Sequence, residues 1–552
     1  MLLKSRKSQR PALGREEHEE LIARTRSATA AGRYARSLAE VGRALARAPA
    51  DAQLLFARAA TLFAWRRCRE ARSACAEAQS SVIESLDLHL LVGWCAFGLG
   101  GLDDAEAAMR RAVQTAPEDA RSHSNLAVVL QALKRHEEAV AGFERALALG
   151  GDDFDLRIGL GNARLALKDF AAAEEQFRRA LARDDRRAVA WSLLGAAMGR
   201  QCRYEEALEA FEHADKLARD NEEDSTTFTN FAIALSENRR NREALDVFER
   251  YLPRFPLVEA HYAYSLALLR GGRLIEGWGQ YEFRWLQSDA PTHVRLAGPV
   301  WSGQDLRGKT LLLHVEQGFG DVIQFVRYAP QVKALGAKVL LRVARPMKAL
   351  LRGIAGVDRL LDRDEAIPDY DFYINLLSLP RILGTSLETI PGDFPYIRAE
   401  PERVARRAAK LPRDGRQRVG LVWAGNTQHP NDRFRSMDLG QLSAVLKVSG
   451  VRFVSLQKGA GSEQATEALL SGVDWVDIGS ELQDFADTAA VIEELDLVLC
   501  VDTAVAHLAG AMGKAVWVMV AQPADFRWLE EREDSPWYPT LRLFRQSRRD
   551  DW

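Results

Sequence analysis

Small residues recur along the first half of the chain at a fixed interval of 34. One column holds Ser37, Ala71, Ala105, Ala139, Ala173 and Ala207. A second, seven residues on, holds Ala44, Ala78, Ala112, Ala146, Ala180 and Ala214. A third, twelve residues before the first, holds Thr25, Ala59, Gly93, Ala127, Gly161 and Gly195. Bulkier residues (Val41, Cys75, Met109, Phe143, Phe177, Phe211) stand four places after the first column. Helices that cross closely need small residues where they touch and large apolar ones around them, so the pattern predicts pairs of antiparallel helices. Pro49, Pro117 and Pro256 fall between pairs, where a helix must stop. The register slips by three and resumes with Ala232, Ala244 and Phe248; a last unit follows in His261, Ser265, Gly277 and Tyr281. Eight units run from about Glu19 to Arg284, the outermost degenerate as capping units are.

A helix-pair period of 34 with small residues at these columns identifies tetratricopeptide repeats. Stacked repeats form an extended surface suited to holding a partner, and a protein or peptide is the expected one.

After Trp285 the pattern changes. A polar stretch, Ser288 to Gly308, leads into short apolar runs alternating with helical patterns. Thr310 to Val315, Lys338 to Val343 and Phe372 to Leu376 read as strands, and Val322 to Leu335 as a helix. Beyond a basic link, Lys410 to Arg418, further strands are expected at Val419 to Trp423, Arg452 to Leu456, Leu497 to Val501 and Ala515 to Val520. Strands alternating with helices imply a parallel sheet in each half. The expected organisation is a disordered leader (1–17), an α-helical repeat solenoid (18–287), a linker (288–308) and two Rossmann-like α/β halves (309–409 and 410–552).

Composition narrows the choices. A chain of 552 residues exceeds one core. Its net charge of −2 points away from nucleic acid. Cys68, Cys75, Cys95, Cys202 and Cys500 are scattered and read as reduced structural thiols. The basic start, Met1 to Pro11, has no long apolar run, so neither a secretory signal nor a membrane span is expected and the location read is cytoplasmic. Asp362 with Asp364, and Asp369 with Asp371, read as surface turns; no metal site and no cofactor are expected.

Three motifs follow predicted strands, where ligands bind in such folds. Glu316-Gln317-Gly318-Phe319-Gly320-Asp321 combines two glycines, a helix start and a carboxylate that either caps the helix or works in a site. Trp423-Ala424-Gly425-Asn426, continuing through His429 to Ser436, carries Arg433 and Arg435, whose forks suit a diphosphate unless they merely pair with Asp432. In Asp502-Thr503-Ala504-Val505-Ala506-His507, Thr503 opens a helix and can donate to a phosphate, with His507 one turn on.

With these residues the second half resembles family 9, heptosyltransferase-type glycosyltransferases. It is similar, repeats included, to tetratricopeptide-repeat glycosyltransferases related to protein O-GlcNAc transferase. The stretches that carry the likeness begin at His314 (HVEQGFGDVIQFVRY), Val419, Val451, Asp484 and Arg532. The resemblance implies a GT-B fold, a nucleotide-sugar donor and no essential metal. It makes Asp321 the general base, in a loop with Gln317, Gly318 and Gly320. It gives the donor diphosphate to Asp502, Thr503 and His507, with Asn426, Arg433, Arg435 and Lys458 as further donor contacts. Ala504 stands where that family has glycine. The column that would form an asparagine ladder reads Ala23, Ala57, Leu91, Asn125, Gly159, Leu193, Asn230 and Ala263, which argues against a peptide gripped in that manner. The functional expectation is transfer of a sugar from a nucleotide sugar to a protein acceptor held by the repeats. The alternative is an inactive nucleotide-sugar-binding or scaffold protein.

Overall fold

The computed structural model describes residues 15–79, 85–201, 203–220, 225–287, 296–411, 413–429, 432–549 and 551–552. The leader up to residue 14, Cys202, the first part of the linker, and Pro430 with Asn431 lie outside the described residues. Two compact units divide the chain, Met1–Thr227 and Phe228–Trp552.

The first unit is a succession of antiparallel helix pairs, from Arg15–Ala30 with Tyr34–Leu45 to Ala188–Arg200 with Tyr204–Asp220. The small-residue columns are the contact points. A Cβ on Gly93 would lie 2.6 Å from Met109 Cε, and one on Gly195 would lie 3.0 Å from the Phe211 ring. Ala139, Ala146, Ala173 and Ala180 have no exposed surface, and Phe143 and Phe177 are buried beside them. Pro49 and Pro117 occupy the turns between pairs. One periodic feature escaped the pattern of hydrophobicity. The turns inside the first five pairs place a residue in the left-handed region at Gly32, Arg66, Gly100, Lys134 and Lys168, again 34 apart.

The second unit begins with two helix pairs, Ser225–Glu237 with Asn241–Tyr251 and Val258–Arg270 with Leu274–Tyr281. They belong to it because their core is continuous with that of the sheets. Trp278 meets Phe325 edge-on at 5.6 Å and Phe526 at 5.8 Å, and Leu269, Trp278 and Tyr281 are buried among strand residues.

Two parallel sheets follow. The first contains β1 (Thr310–His314), β2 (Lys338–Val343), β3 (Arg359–Asp362) and β4 (Phe372–Asn375), ordered β3-β2-β1-β4. The second contains β5 (Gln417–Val422), β6 (Val451–Ser455), β7 (Trp475–Asp477), β8 (Leu497–Val501), β9 (Val516–Val520) and β10 (Leu541–Arg545), ordered β10-β9-β8-β5-β6-β7. All strand pairs within the two sheets are parallel, and the central strands are buried almost throughout, as sheets covered on both faces require. Strand order reverses beside β1 in one sheet and between β5 and β8 in the other. Those switch points are where crevices open at the carboxyl ends of strands.

The seven strands expected from the sequence are present, each within a residue or two of its expected bounds. Three more, β3, β7 and β10, are short or lie at sheet edges, where a few apolar residues suffice and the run is too brief to stand out. Asp362 therefore ends a strand rather than sitting in a turn. Asp371 anchors the start of β1, accepting from the Thr310 amide at 2.8 Å and Lys309 at 3.1 Å. The expected long helix after β1 is broken into Phe319–Phe325, a 3-10 turn and Ala329–Ala334. Among the described residues no helix is long and apolar enough to cross a membrane.

Candidate active site

A cavity of about 1180 Å³ lies within the second unit, at the carboxyl ends of β1, β5, β6 and β8. Both switch points open into it, because the helix Phe319–Phe325 after β1 packs directly on the helix Ala504–Ala511 after β8. Gly320 makes that approach possible: a Cβ there would lie 2.8 Å from Cδ2 of His507. Phe319 and Phe485 meet edge-on at 5.1 Å, one aromatic from each half.

Gln317, Gly318, Gly320 and Asp321 line one wall; Asn426, Arg435, Lys458, Asp502, Thr503 and His507 line another. Arg433 does not join them. It is exposed, and its guanidinium lies 4.5 Å from the centre of the Phe434 ring. In a four-residue helix, Arg433 and Arg435 point apart, and only Arg435 turns inward, bonded to Asp432 at 3.2 Å.

The second-half loops are held rigidly. Buried Gln457 accepts from the amides of Trp423 and Ala424, both at 3.0 Å, and donates to the carbonyls of Ala424 and Ala460. It thereby joins the loop after β5 to the loop after β6. Gly425 allows Asp432 and Arg435 to pack against the backbone: a Cβ would lie 2.5 Å from Asp432 Oδ1. Lys458 donates to the Leu482 carbonyl. Thr503 is the N-cap of the helix Ala504–Ala511, yet it makes no capping bond, and its buried hydroxyl has no hydrogen-bond partner among the described residues.

His507 is buried and neutral. Burial, reinforced by Arg527, lowers its pKa to about 3. Its Nδ1 meets the Tyr538 hydroxyl at 2.9 Å, and its ring stacks on Trp528 at 5.1 Å. It therefore serves the cavity as an uncharged wall. Asp502, next along, is pushed upward by burial and by the nearby Asp525.

Asp321 is engaged. Its carboxylate accepts from Arg527 of the second half, which also donates to Asp525 at 2.7 Å. Burial works against the Arg527 charge, but Asp321 and Asp525 outweigh it and raise its pKa further. Arg527 and Asp525 could not be singled out from the sequence, because nothing near Phe526 in the chain hints at a partner 206 residues away.

Three contributions come from the last helix pairs and the turn Glu282–Leu286 that follows them. Arg270 and Glu237 line the cavity, bonded to each other at 3.5 Å. Arg284 is buried and donates to Glu316 at 3.0 Å, to Glu282 at 2.7 Å and to Ser378 at 2.9 Å. Gln317 donates to the Tyr281 hydroxyl at 3.0 Å. Among the described residues no group of three or more His, Cys, Asp or Glu is placed to hold a metal ion.

Comparison with known proteins agrees with both parts of the chain. Tetratricopeptide repeat family models match residues 118–186, 158–222 and 229–276. The glycosyltransferase family 9 (heptosyltransferase) model matches residues 393–518. Protein FlbA of Caulobacter vibrioides is 30% identical over 419 residues, which is 70% of this chain and 69% of that protein. Among solved structures, the APC/C hetero-tetramer Cut9-Hcn1 aligns at 15% identity and a TM-score of 0.39, over 47% of this chain and 51% of that one. PilF of Pseudomonas aeruginosa aligns at 16% identity and a TM-score of 0.33, over 38% of this chain and 94% of that one. The chain is thus a member of the FlbA family, built from tetratricopeptide repeats and a glycosyltransferase family 9 (heptosyltransferase) domain.

Proposed function

We propose that the chain transfers a sugar from a nucleotide-sugar donor to a protein acceptor recruited by its repeats, with the two Rossmann-like halves working as a metal-independent GT-B enzyme. The observation that carries this reading is Thr503. A buried hydroxyl without a partner among the described residues, at the N-terminus of an eight-residue helix and on a cavity that Arg435 also lines, can donate to an anionic oxygen. A nucleotide phosphate meets that description. Arg435, Lys458 and the helix terminus would take up the charge of the leaving phosphate, the role a metal plays elsewhere. Asn426 and Asp502 complete the donor wall, and Gln317, Gly318 and Gly320 shape the acceptor wall, with the base drawn from the carboxylates of the loop after β1. His507 contributes shape and a neutral edge rather than charge.

The test uses the full chain with a panel of nucleotide sugars and mass spectrometry of the products. One donor should be hydrolysed slowly to free sugar and nucleotide. No turnover and no calorimetric binding with any donor would reject the reading; tight binding without turnover would favour the inactive sugar-nucleotide binder. Acceptor recruitment is tested by removing residues 1–227, the first compact unit, which leaves Glu237 and Arg270 at the cavity. Donor hydrolysis should persist and protein modification should cease.

A further inference from the structure

We propose that Glu316, rather than Asp321, is the base that removes the proton from the acceptor hydroxyl; this rests on the glycosyl-transfer reading above. Two carboxylates stand in the loop after β1, and the fold treats them differently. Asp321 is spent on Arg527, a guanidinium buried between the halves. Glu316 lines the cavity with a side chain only 5% exposed. Its Oε1 is held by Arg284 at 3.0 Å, while its buried Oε2 has no hydrogen-bond partner among the described residues. One oxygen is thus anchored, and the other is buried and unpaired at the cavity wall.

The charge count around Glu316 favours proton uptake. Arg284 is the cation bonded to Glu316, and it is shared with Glu282; Ser378 donates to Glu282 at 2.9 Å. Asp321 adds a second negative charge from the helix Phe319–Phe325. Burial first, then Asp321 and Glu282, raise the Glu316 pKa to about 7 against the pull of Arg284. A base is most effective with a pKa near the working pH. In the step itself, the acceptor O–H proton passes to Glu316 Oε2 and the acceptor oxygen bonds to the anomeric carbon. The bond from that carbon to the phosphate oxygen breaks, and the electron pair leaves with the nucleotide. Arg284, which belongs to the turn Glu282–Leu286 after the last helix pair, is a positioning residue for this base.

The test compares Glu316→Gln, Glu316→Asp and Asp321→Asn in the full chain, reading kcat and KM for transfer from pH 5 to 9. Wild type should lose kcat on the acid side near pH 7. Glu316→Gln should lower kcat by roughly 10²-fold or more, with donor KM little changed and the acid limb abolished. Glu316→Asp keeps a partner for Arg284 and guards against a folding failure; it should retain the acid limb at a kcat reduced about tenfold. Asp321→Asn should keep the acid limb. Glu316→Gln with near wild-type kcat, or an acid limb that vanishes in Asp321→Asn and persists in Glu316→Gln, overturns the assignment while leaving the transfer reading intact. A wild-type chain that turns over no nucleotide sugar overturns that reading, and the assignment with it.

Discussion

Gly320 and His507 touch across the two Rossmann-like halves, with no room for a methyl group between them: a Cβ on the glycine would fall 2.8 Å from the imidazole Cδ2. The histidine cannot retreat, because Trp528 stacks on its ring and Tyr538 holds its Nδ1. Gly320→Ala must therefore separate the two helices. Overpacking of this kind costs about 1–3 kcal/mol. Thermal unfolding should show the loss, and transfer should fall further than stability does, because both cavity walls move.

Asp321→Asn removes a charge partner of Arg527, which keeps Asp525. Breaking a buried pair costs up to about 3–5 kcal/mol, and the surviving partner places this variant at the lower end. Urea denaturation should show a destabilisation of about 3 kcal/mol. Unchanged stability with a large loss of kcat would return Asp321 to the role of base.

Thr503→Val and Arg435→Ala should each weaken nucleotide binding. Each removes a hydrogen bond to a charged group, worth about 1.5–3 kcal/mol. Arg433→Ala is the control, since that side chain is exposed on Phe434. Calorimetry in which Arg433→Ala loses affinity and Arg435→Ala does not would reverse the assignment.

Lys134 and Lys168 adopt φ of 62° and 63°, at turns where Gly32 and Gly100 stand in equivalent places. A side chain in the left-handed region costs about 1–2 kcal/mol. Part of that returns on Lys168→Gly, offset by the greater chain entropy of glycine. The net expectation is a small rise in melting temperature for Lys168→Gly and a fall for Gly100→Ala, read by calorimetric scanning.

Two buried groups set opposing pH dependences of stability. The His507 pKa is depressed, so its contribution is present above about 6.5 and is lost as pH falls toward 3. The Glu316 pKa is raised from 4.5 to about 7, so its contribution is present below 4.5 and is lost as pH rises to 7. Glu316→Gln should remove the second trend alone. Urea midpoints measured from pH 4 to 8 should then climb more steeply with pH in the variant than in wild type. Parallel curves would show that Glu316 titrates normally.

The sequence by itself determined what depends on local period and on strand-end chemistry. Its 34-residue columns fixed the helix pairs because each small residue, such as Gly93 or Gly195, must meet its bulky partner within one unit. The apolar runs after Trp285 located the central strands, and the polar residues that follow β1, β5 and β8 marked the cavity walls. Tertiary structure alone decided which of those residues face one another. Arg527 reaches Asp321 across 206 positions, and Arg284 reaches Glu316 from the end of the repeats. Arg433 and Arg435, two places apart, look identical in the chain, but the helical turn sends one to solvent and the other to the cavity. Whether a carboxylate is a latch or a base depends on burial and on how many cations it shares. Those are properties of the folded surroundings, and no spacing along the chain records them.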